Sequence, residues 1–422
     1  MSKLGFMEKL LDGIEVEWKP LRDVAEYSST RVEAVELDAT SFVGVDNLVA
    51  NKGGRVDSNY LPNTVRLTAY EPGDILLGNI RPYLKKVWRA TNSGGCSGDV
   101  LAIRILDKYK PLIDSKFLYY LLSSDEFFSY NMEYAKGAKM PRGSKTAILK
   151  YQIPIPCPEN SKKSLEIQAE IVRVLDDFTN LTTESITKLT TELAARKKQY
   201  SHYRDHIFNF KKIEVEWKTL GEVGEFIRGK RFTKADYAKE GISVIHYGEI
   251  YTHYGASANY AFSKVRNDMA DSLRYAKPGD VVITGVGETV EDVGKAVAWL
   301  GDKKVAIHDD SYAFRHSMNP KFISYAMQTS AFIDEKAKHV SRGKVNRLLI
   351  TGIARVRIPI PYPFDEKKSL AEQARIVRVL EKLDALTSSI SESLRREIEL
   401  REKQYEYYRH LLLSFPKPET VI

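Results

Sequence analysis

The sequence predicts an α+β fold in which two homologous domains are separated by two long antiparallel coiled-coil helices, as a pseudo-two-fold internal repeat. Three observations predict this fold. The 49 residues from Lys162 to Phe210 recur without a gap from Lys367 to Phe415, with 22 identities. Shorter landmarks recur in the same order before each copy. Both copies carry apolar residues at a period near 3.5, which is typical of a coiled coil.

The landmarks define where each domain begins and ends. Each domain opens on Ile-Glu-Val-Glu-Trp-Lys, at Ile14 and Ile213, and closes on Ile-Pro-Ile-Pro, at Ile153 and Ile358. The offset between matched pairs varies from 199 to 211, which predicts loops of different length on one scaffold, whereas the helices keep a single offset of 205. We therefore divide the chain into a first domain (1–158), a first long helix (159–210), a second domain (211–363), a second long helix (364–415) and a tail (416–422).

The apolar stripe indicates how the long helices pack. About 45 helical residues would extend roughly 65 Å, and an isolated helix of that length would leave its stripe in water. We therefore expect the two helices to pack on each other; the alternative is that each packs on its own domain. The stripe residues are Ile171, Val174, Leu175, Phe178, Leu181, Ile186, Leu189 and Leu193, then Ile376, Val379, Leu380, Leu383, Leu386, Ile390, Leu394 and Ile398.

The ends of the chain fit the same repeat. The first helix leads directly into the landmark at Ile213, and the chain after Phe415 stops where a third copy would begin. We therefore expect the two termini to meet. Within the first domain, Leu101–Leu106 is predicted as a strand and Lys116–Phe128 as one amphipathic helix.

Composition bounds the function. The chain has 422 residues, a formal net charge of +8 and a pI near 9.0, and this basic balance suits a polyanionic partner. No apolar run reaches the length of a membrane span, and the N-terminus has no secretory signal. The two cysteines, Cys96 and Cys157, have no metal-ligand spacing. We expect a cytoplasmic protein.

Motifs for catalysis are weak. The stretch Gly287–Lys295 is too long for a phosphate-binding loop, and Ala296 stands where a magnesium-binding hydroxyl is needed. The His308-Asp-Asp310 cluster is interpreted as a structural turn, because Asp310 matches Asp99 in the repeat but His308 matches no histidine. The sequence thus predicts no catalytic constellation, no metal site and no cofactor in this chain.

Candidate DNA-binding residues lie in segments where basic, aromatic and amide side chains alternate with glycine. Arginine and lysine can recognise guanine and asparagine adenine, while other side chains would hold phosphates. A single basic residue is more often a solvated charge, and Tyr247, Tyr251 and Tyr254 equally fit a small core. We matched the Arg142-Gly and Arg342-Gly segments as equivalent in the two copies. The candidates are Lys52, Arg55, Asn79, Arg81, Lys85, Lys139, Arg142, Ser144 and Lys145, then Arg228, Lys230, Arg231, Lys234, His246, Tyr247, Tyr251, Arg342, Lys344, Asn346 and Arg347.

These features together resemble the DNA-specificity subunit of type I restriction-modification systems over nearly the whole chain. The motifs that carry the resemblance are the Val-Glu-Trp opening of each domain, the closing Ile-Pro-Ile-Pro strand, and the two ends of each helix. The helix ends stand at Gln168–Leu175 and Gln373–Leu380, and at Lys198–Arg204 and Lys403–Arg409. Leu189–Leu193 resembles, once and imperfectly, a short repeat found in one subgroup.

The resemblance implies a non-catalytic role. Each domain would be a target recognition domain for one half of a split, asymmetric DNA site, and the helices would set the spacing and dock two methylation subunits. Those subunits use S-adenosylmethionine to methylate adenine, and restriction subunits with ATP- and magnesium-dependent translocase and nuclease activity join the complex. The alternatives are an enzyme that acts on nucleic acid by itself and a protein-binding coiled-coil scaffold with non-specific DNA affinity.

Overall fold

The computed structural model describes residues 6–211 and 213–417. The chain divides into two compact units that each combine one α+β domain with part of both long helices. The first unit contains residues up to Lys188 and from Glu397 onward, and the second contains Leu189–Arg396. The long helices span Ser161–Ile207 and Glu366–Leu413.

The first domain is built from short strands and helices. Its strands are Val16–Pro20, Ala25–Tyr27, Arg31–Glu33, Phe42–Val43, Arg66–Tyr70, Ile75–Gly78, Val87–Arg89, Gly94–Cys96, Val100–Ile105 and Gln152–Pro156. Its α-helices are Phe6–Leu10, Leu21–Val24, Ser115–Leu122, Asp125–Glu133 and Lys145–Ile148, with 3₁₀ turns at Ala34–Glu36, Pro82–Leu84 and Asp107–Tyr109.

The second domain has a similar order of elements. Its strands are Val215–Thr219, Gly224–Arg228, Tyr237–Ile245, Ser257–Ala258, Ser263–Val265, Tyr275–Ala276, Val281–Thr284, Val286–Gly287, Ala296–Trp299, Val305–Ile307, Ser311–His316, Asn346–Arg347 and Arg357–Pro361. Its α-helices are Leu220–Val223, Tyr247–Thr252, Pro320–Ala326, Ser330–Ala337 and Ile350–Ile353, with 3₁₀ turns at Lys234–Asp236 and Asn267–Ser272.

Strand pairing shows that the two domains share one scaffold. The opening strand pairs antiparallel with the closing Ile-Pro-Ile-Pro strand in both, with Trp18 opposite Pro154 and Trp217 opposite Pro359. The central sheet of each domain repeats the same antiparallel series of four strands. The domains differ at the sheet edges, where the second domain adds Ser257–Ala258 to its central sheet. Variation at the edges explains the drifting offset between the landmarks.

A buried glutamine fixes each long helix to its own domain. Gln168 accepts a hydrogen bond from the backbone N–H of Asp114 at 2.8 Å, and Gln373 accepts one from Asn319 at 2.9 Å. Both glutamines are fully buried and differ in number by the helix offset of 205. If the helix slid along its domain, this hydrogen bond would break and leave a buried amide unpaired, which costs free energy of folding. The contact therefore fixes the position of the helix.

The apolar residues at the start of each helix serve the domain core as well as the helix pair. Ile171 and Leu175 are fully buried in the core of the first unit, which also contains Leu412 from the last turn of the second helix and Phe415 just after it. Ile376 and Leu380 are equally buried in the second unit. Phe178, Leu383, Leu189, Leu193, Leu394 and Ile398 are half-buried. The alternative that each helix packs on its own domain therefore holds for these first turns.

The two helices run antiparallel where they meet within the first unit. The rings of Phe178 and Tyr408 stack at 5.1 Å, and the hydroxyls of Thr179 and Tyr405 lie 2.9 Å apart. Farther along, Ile186 lines a cleft together with Glu402. In these pairs one residue number rises as the other falls, which is the antiparallel order that the repeat predicts.

The predicted stripe is wrong at Val379 and Ile390, which are exposed, and most clearly at the equivalent residues Leu181 and Leu386. The side chains of Leu181 and Leu386 are 62% and 63% exposed. From the buried Leu175, six residues at 100° each place Leu181 about 240° around the helix, away from the seam. The seam continues through Thr182 and Ile186 instead. A prediction from apolar residues alone chooses Leu181 for the helix contact, although Thr182 is the residue that faces the partner helix.

Of two further predictions, a single helix in the first domain is wrong and the meeting of the chain ends is confirmed. The helix predicted over Lys116–Phe128 is wrong as a single element, since Ser123 ends one helix and Ser124 begins the next by accepting a hydrogen bond from the N–H of Phe127. The expected meeting of the chain ends is confirmed for the described residues, because the Trp18 indole donates to the Pro416 carbonyl at 2.8 Å. Within the described residues, we find no helix both long and apolar enough to cross a membrane.

Candidate functional site

Three of the predicted residues converge on one loop junction in the first domain. The backbone of Arg142 forms bridges with Lys136 and with Ile80, and the N–H of Arg81 donates to Pro141 at 2.7 Å. The N–H of Gly143 donates to the carbonyl of Asn79 at 3.1 Å. The loop 136–142 is thereby tied to the segment that carries Asn79 and Arg81, and Lys139 lies exposed at its tip.

The Arg142 side chain reaches a second landmark of the repeat. Its Nε donates to Asp99 Oδ1 at 3.2 Å, and the guanidinium remains about half exposed. An exposed ion pair of this kind adds little stability, but it orients an arginine whose remaining N–H groups face solvent.

The matching of Arg142 with Arg342 is wrong. The counterpart of Arg142 is Arg347, which bridges Ser341 as Arg142 bridges Lys136, and pairs with Val286 as Arg142 pairs with Ile80. Arg347 also contacts an aspartate, Asp310, at 3.4 Å. Both loops have seven residues and keep the helix offset of 205, whereas the Arg-Gly letters coincide only after a shift of five positions. Lys139 and Lys344 are matched by the same offset.

Two predicted lysines of the first domain form internal ion pairs. Lys52 Nζ lies 2.7 Å from Asp125 and 2.8 Å from Glu406 on the second long helix, and its side chain is only 11% exposed. Lys85 shares Asp125 at 2.8 Å. Burial raises the pKa of Asp125, but hydrogen bonds from both lysines outweigh it and hold this pKa at about 2. This geometry gives Lys52 a structural role and removes its ammonium group from the candidate DNA-binding surface.

The remaining candidates of the first domain have distinct environments. Arg55 pairs with Asp57 at 2.6 Å and its guanidinium covers the Trp88 ring at 5.2 Å. The Ser144 hydroxyl caps a short helix by accepting from the N–H of Ala147, and Lys145 lies exposed in the first turn of that helix. Only Lys145 of these side chains is free of a local structural contact in the described residues.

In the second domain five of the eleven predicted residues line one cleft. Its volume is about 410 Å³, and it collects side chains from four separate segments of the chain. The predicted residues that line it are Arg228, Arg231, His246, Tyr247 and Arg347. Three arginines outnumber the two aspartates, Asp309 and Asp310, around this concave surface, which suits a ligand with acceptor groups such as phosphates and guanine edges.

Two histidine rings in contact with each other line this cleft. The His246 and His308 rings lie 4.7 Å apart, and Tyr247 covers His246 at 4.3 Å. Burial, and then the neighbouring His308, lower the pKa of His246. His246 Nδ1 accepts from the N–H of Gly248 at 3.1 Å, which fixes the ring orientation in the uncharged form.

The other candidates of the second domain lie outside the cleft. Tyr251 is internal: its hydroxyl lies 2.7 Å from Thr284 Oγ1 and donates to the Val286 carbonyl at 2.6 Å, and burial raises its pKa to about 12. Asn346 donates to the Glu288 carbonyl at 2.7 Å. Exposed side chains without a role inside the cleft are those of Lys230, Lys234, Arg342 and Lys344.

The His308-Asp-Asp310 cluster forms the expected turn. His308 Nδ1 accepts from the N–H of Asp310 at 3.2 Å and lies 3.1 Å from Asp309 Oδ1. Possible ligand atoms of the three residues lie within 4.8 Å of one another. However, Asp310 pairs with Arg347, and the Asp309 carbonyl accepts from Arg228 at 3.0 Å, so these residues position arginines.

Sequence reasoning missed the residues that orient the arginines. The sequence marks Asp99 and Asp310 only as matched landmarks of the repeat, and His308 has no matching histidine. Their signal was present, since an acidic residue at one repeat position accompanies an arginine at another in both copies. Distance along the chain, 43 and 37 residues, concealed that each pair meets.

Comparisons with known proteins agree with this arrangement. A family model described as type I restriction modification DNA specificity domain matches residues 95–195 and 212–400. A type I restriction enzyme specificity subunit of Escherichia coli is 34% identical over 431 residues, covering 100% of both chains. A putative type I restriction enzyme specificity subunit of Haemophilus influenzae is 30% identical, covering 97% of this chain and 98% of its own.

A solved structure has the same fold. That structure concerns complex assembly and conformational transition of the type I restriction-modification system. It superposes with a TM-score of 0.68 at 18% identity, covering 94% of this chain and 97% of its own. The family model covers more than half of the 422 residues and the relatives span the full length, so the scaffold alternative has no support. The chain belongs to the family of DNA-specificity subunits of type I restriction-modification systems.

Proposed function

We propose that each domain recognises one half of a split, asymmetric DNA site and that the long helices set the distance between the halves. The observation that carries this proposal is that the two domains share one arginine–aspartate contact but differ in the residues around it. Arg142 with Asp99 and Arg347 with Asp310 repeat the same contact, whereas the residues around the two pairs differ. A shared contact suits the common DNA backbone, and different neighbours suit different bases.

The long helices also present a duplicated surface. Leu181 and Leu386 occupy the same position of the two helices and are exposed to nearly the same extent, 62% and 63%. Exposed leucines at one repeat position suit a single kind of partner that binds twice. We propose that this partner is the methylation subunit, present in two copies, and that restriction subunits join the same cytoplasmic complex.

The chemistry of that complex would lie outside this chain. In the proposal the methylation subunits bring S-adenosylmethionine for transfer of a methyl group to adenine, and the restriction subunits use ATP and magnesium. The arginine-lined cleft and loop junction bind and orient DNA, and they determine which adenine the partner subunits meet.

The spacing function can be tested by an insertion. Four residues inserted after Thr190 would lengthen the first helix by about 6 Å, close to the rise of two base pairs. The complex with the insertion is expected to select a site with a longer gap and the same two half-sites. A control chain with Thr190→Ala should keep the original gap. A changed half-site sequence with an unchanged gap would contradict the proposed division of labour.

A further inference from the structure

The first domain contains a cleft that none of the predicted residues line. Its volume is about 550 Å³, and its walls include Arg31, Phe42, Tyr60, Arg66 and Ser97. The two arginines and the tyrosine are exposed. From the position of this cleft in the fold we propose that it is the base-recognition site of the first domain, with Arg31, Tyr60 and Arg66 determining the half-site.

Strand pairing matches one wall of this cleft with one wall of the arginine-lined cleft of the second domain. In the first domain Val43 pairs in parallel with Cys96, and in the second Ile245 pairs in parallel with Ile307. The cleft in each domain lies directly beyond this parallel pair. Ser97 follows Cys96 into one cleft, and His308 follows Ile307 into the other.

The residue after the other strand of the pair confirms the match. The N–H of Gly44 donates to the side chain of Asn47 at 2.7 Å, and the N–H of His246 donates to the side chain of Glu249 at 3.0 Å. In both domains, therefore, the chain turns in the same way beyond the strand. Gly44 stands in the first domain where His246 stands in the second.

Tyr60 fills the space that a side chain at position 44 would need. A Cβ atom added to Gly44 would lie 2.5 Å from the Tyr60 hydroxyl oxygen, which is closer than van der Waals contact permits. Tyr60 arrives from a different segment, and its ring packs edge-on against Phe42 at 5.7 Å. The two domains thus place different hydrogen-bonding groups at one position of a common framework, His246 in one and Tyr60 in the other.

Each arginine of the cleft is oriented by one polar contact and stays exposed to solvent. Arg31 donates to Thr68 Oγ1 at 3.1 Å, and Arg66 pairs with Glu33 at 2.5 Å while its side chain stays 69% exposed. An arginine held by one contact retains further N–H groups, which match the paired acceptors of guanine in the major groove. The ligand class is therefore a duplex half-site, with Tyr60 as a second hydrogen-bonding group.

This inference rests on the proposed function, and one experiment separates the two. The full chain, assembled with its methylation subunits, is used to select duplexes from a randomised library, and the recovered motif is compared between variants. Arg31→Ala and Tyr60→Phe are expected to reduce discrimination about tenfold at base pairs of one half-site only, leaving the gap and other half unchanged. His246→Ala is expected to alter the opposite half.

Controls make each outcome decisive. Arg22→Ala removes an exposed basic side chain of the same domain that does not line the cleft and should leave the motif unchanged. Thermal unfolding of Tyr60→Phe should match the parent chain, which excludes a folding defect. If Arg31→Ala and Tyr60→Phe both recover the parent motif, the cleft is not the recognition site. If the parent chain itself yields no two-part motif, the proposed function fails instead.

Discussion

Arg142 and Arg347 occupy the same position in the two domains. Each pairs its backbone across a seven-residue loop, and each directs its guanidinium to the aspartate that precedes a strand of the central sheet, Asp99 or Asp310. Because each pair links the loop to the turn that precedes a strand of the central sheet, the position of the loop depends on it. The repeat is thus preserved in the contacts that place the loops proposed to face DNA, as well as in the long helices.

Replacement of either arginine should weaken DNA binding. Arg142→Ala and Arg347→Ala each remove a partly exposed guanidinium and release its loop, so we expect about a tenfold lower affinity for the recognised duplex. The measurement is a binding titration of the assembled complex at fixed salt, because phosphate contacts make the affinity depend on ionic strength.

Arg342→Ala is the matched control, since Arg342 lies exposed in the same loop as Arg347 without its ion pair. We expect a smaller loss for this variant. An equal loss for Arg342→Ala and Arg347→Ala would show that the loop acts through net charge alone.

Acid should destabilise the second unit through His316. Burial lowers the pKa of this ring to about 4, and its Nδ1 accepts from the N–H of Met318 at 3.1 Å. The unfolded chain binds the proton near pH 6.5, so stability falls as pH drops from about 6.5 to about 4 and levels off below that. The loss amounts to about 3 kcal/mol.

The residue at the same position of the first domain is Ile105, which suggests the variant His316→Ile. This variant loses the hydrogen bond from Met318 but contains no group that titrates there. Urea unfolding of the second unit between pH 7 and pH 4 should show a flatter pH dependence than in the parent chain. An identical slope would rule out His316 as the source.

The two exposed leucines should each hold one partner. Leu181→Lys and Leu386→Lys place a charge where an apolar contact is proposed, so each single variant should bind one methylation subunit instead of two. Mass determination of the assembled complex gives the stoichiometry. Leu400→Lys is the control, because Leu400 is 50% exposed but its counterpart in the first helix is Ala195.

Lys52 and Lys139 should have opposite effects. Lys52→Ala breaks ion pairs with Asp125 and Glu406 around a nearly buried ammonium, so it should lower the unfolding temperature and leave the recognised motif intact. Lys139→Ala, at an exposed loop tip, should leave stability unchanged and reduce the salt dependence of binding by about one unit. A stable Lys52→Ala chain with an altered motif would reverse this assignment.

The repeat made much of the fold predictable. A constant offset of 205 identified the helices, and landmarks recurring in the same order identified the paired Val-Glu-Trp and Ile-Pro-Ile-Pro strands and the meeting of the chain ends, because duplication constrains every contact that both copies share. The stripe was wrong at Leu181 because the count followed apolar letters rather than the angle around the helix. Thr182 faces the partner helix although its polar hydroxyl excludes it from a stripe of apolar residues.

The site was less predictable than the fold. Residue type indicated the arginines around the second cleft, since basic segments separated by strands converge at one sheet end. It did not reveal that Lys52 is held by Glu406, 354 residues away, or that Tyr60 lies against Gly44. Such partners are determined by tertiary contacts between loops, which leave no local pattern.

The most direct test of the central claim is a map of methylated adenines in cells that carry the partner subunits, with and without this chain. We expect a split, asymmetric motif that is present with the chain and disappears without it, and whose halves change separately with Tyr60→Phe and His246→Ala. An unchanged pattern of methylation, with active partner subunits in both cells, would contradict the assignment of this chain as the component that selects the DNA site.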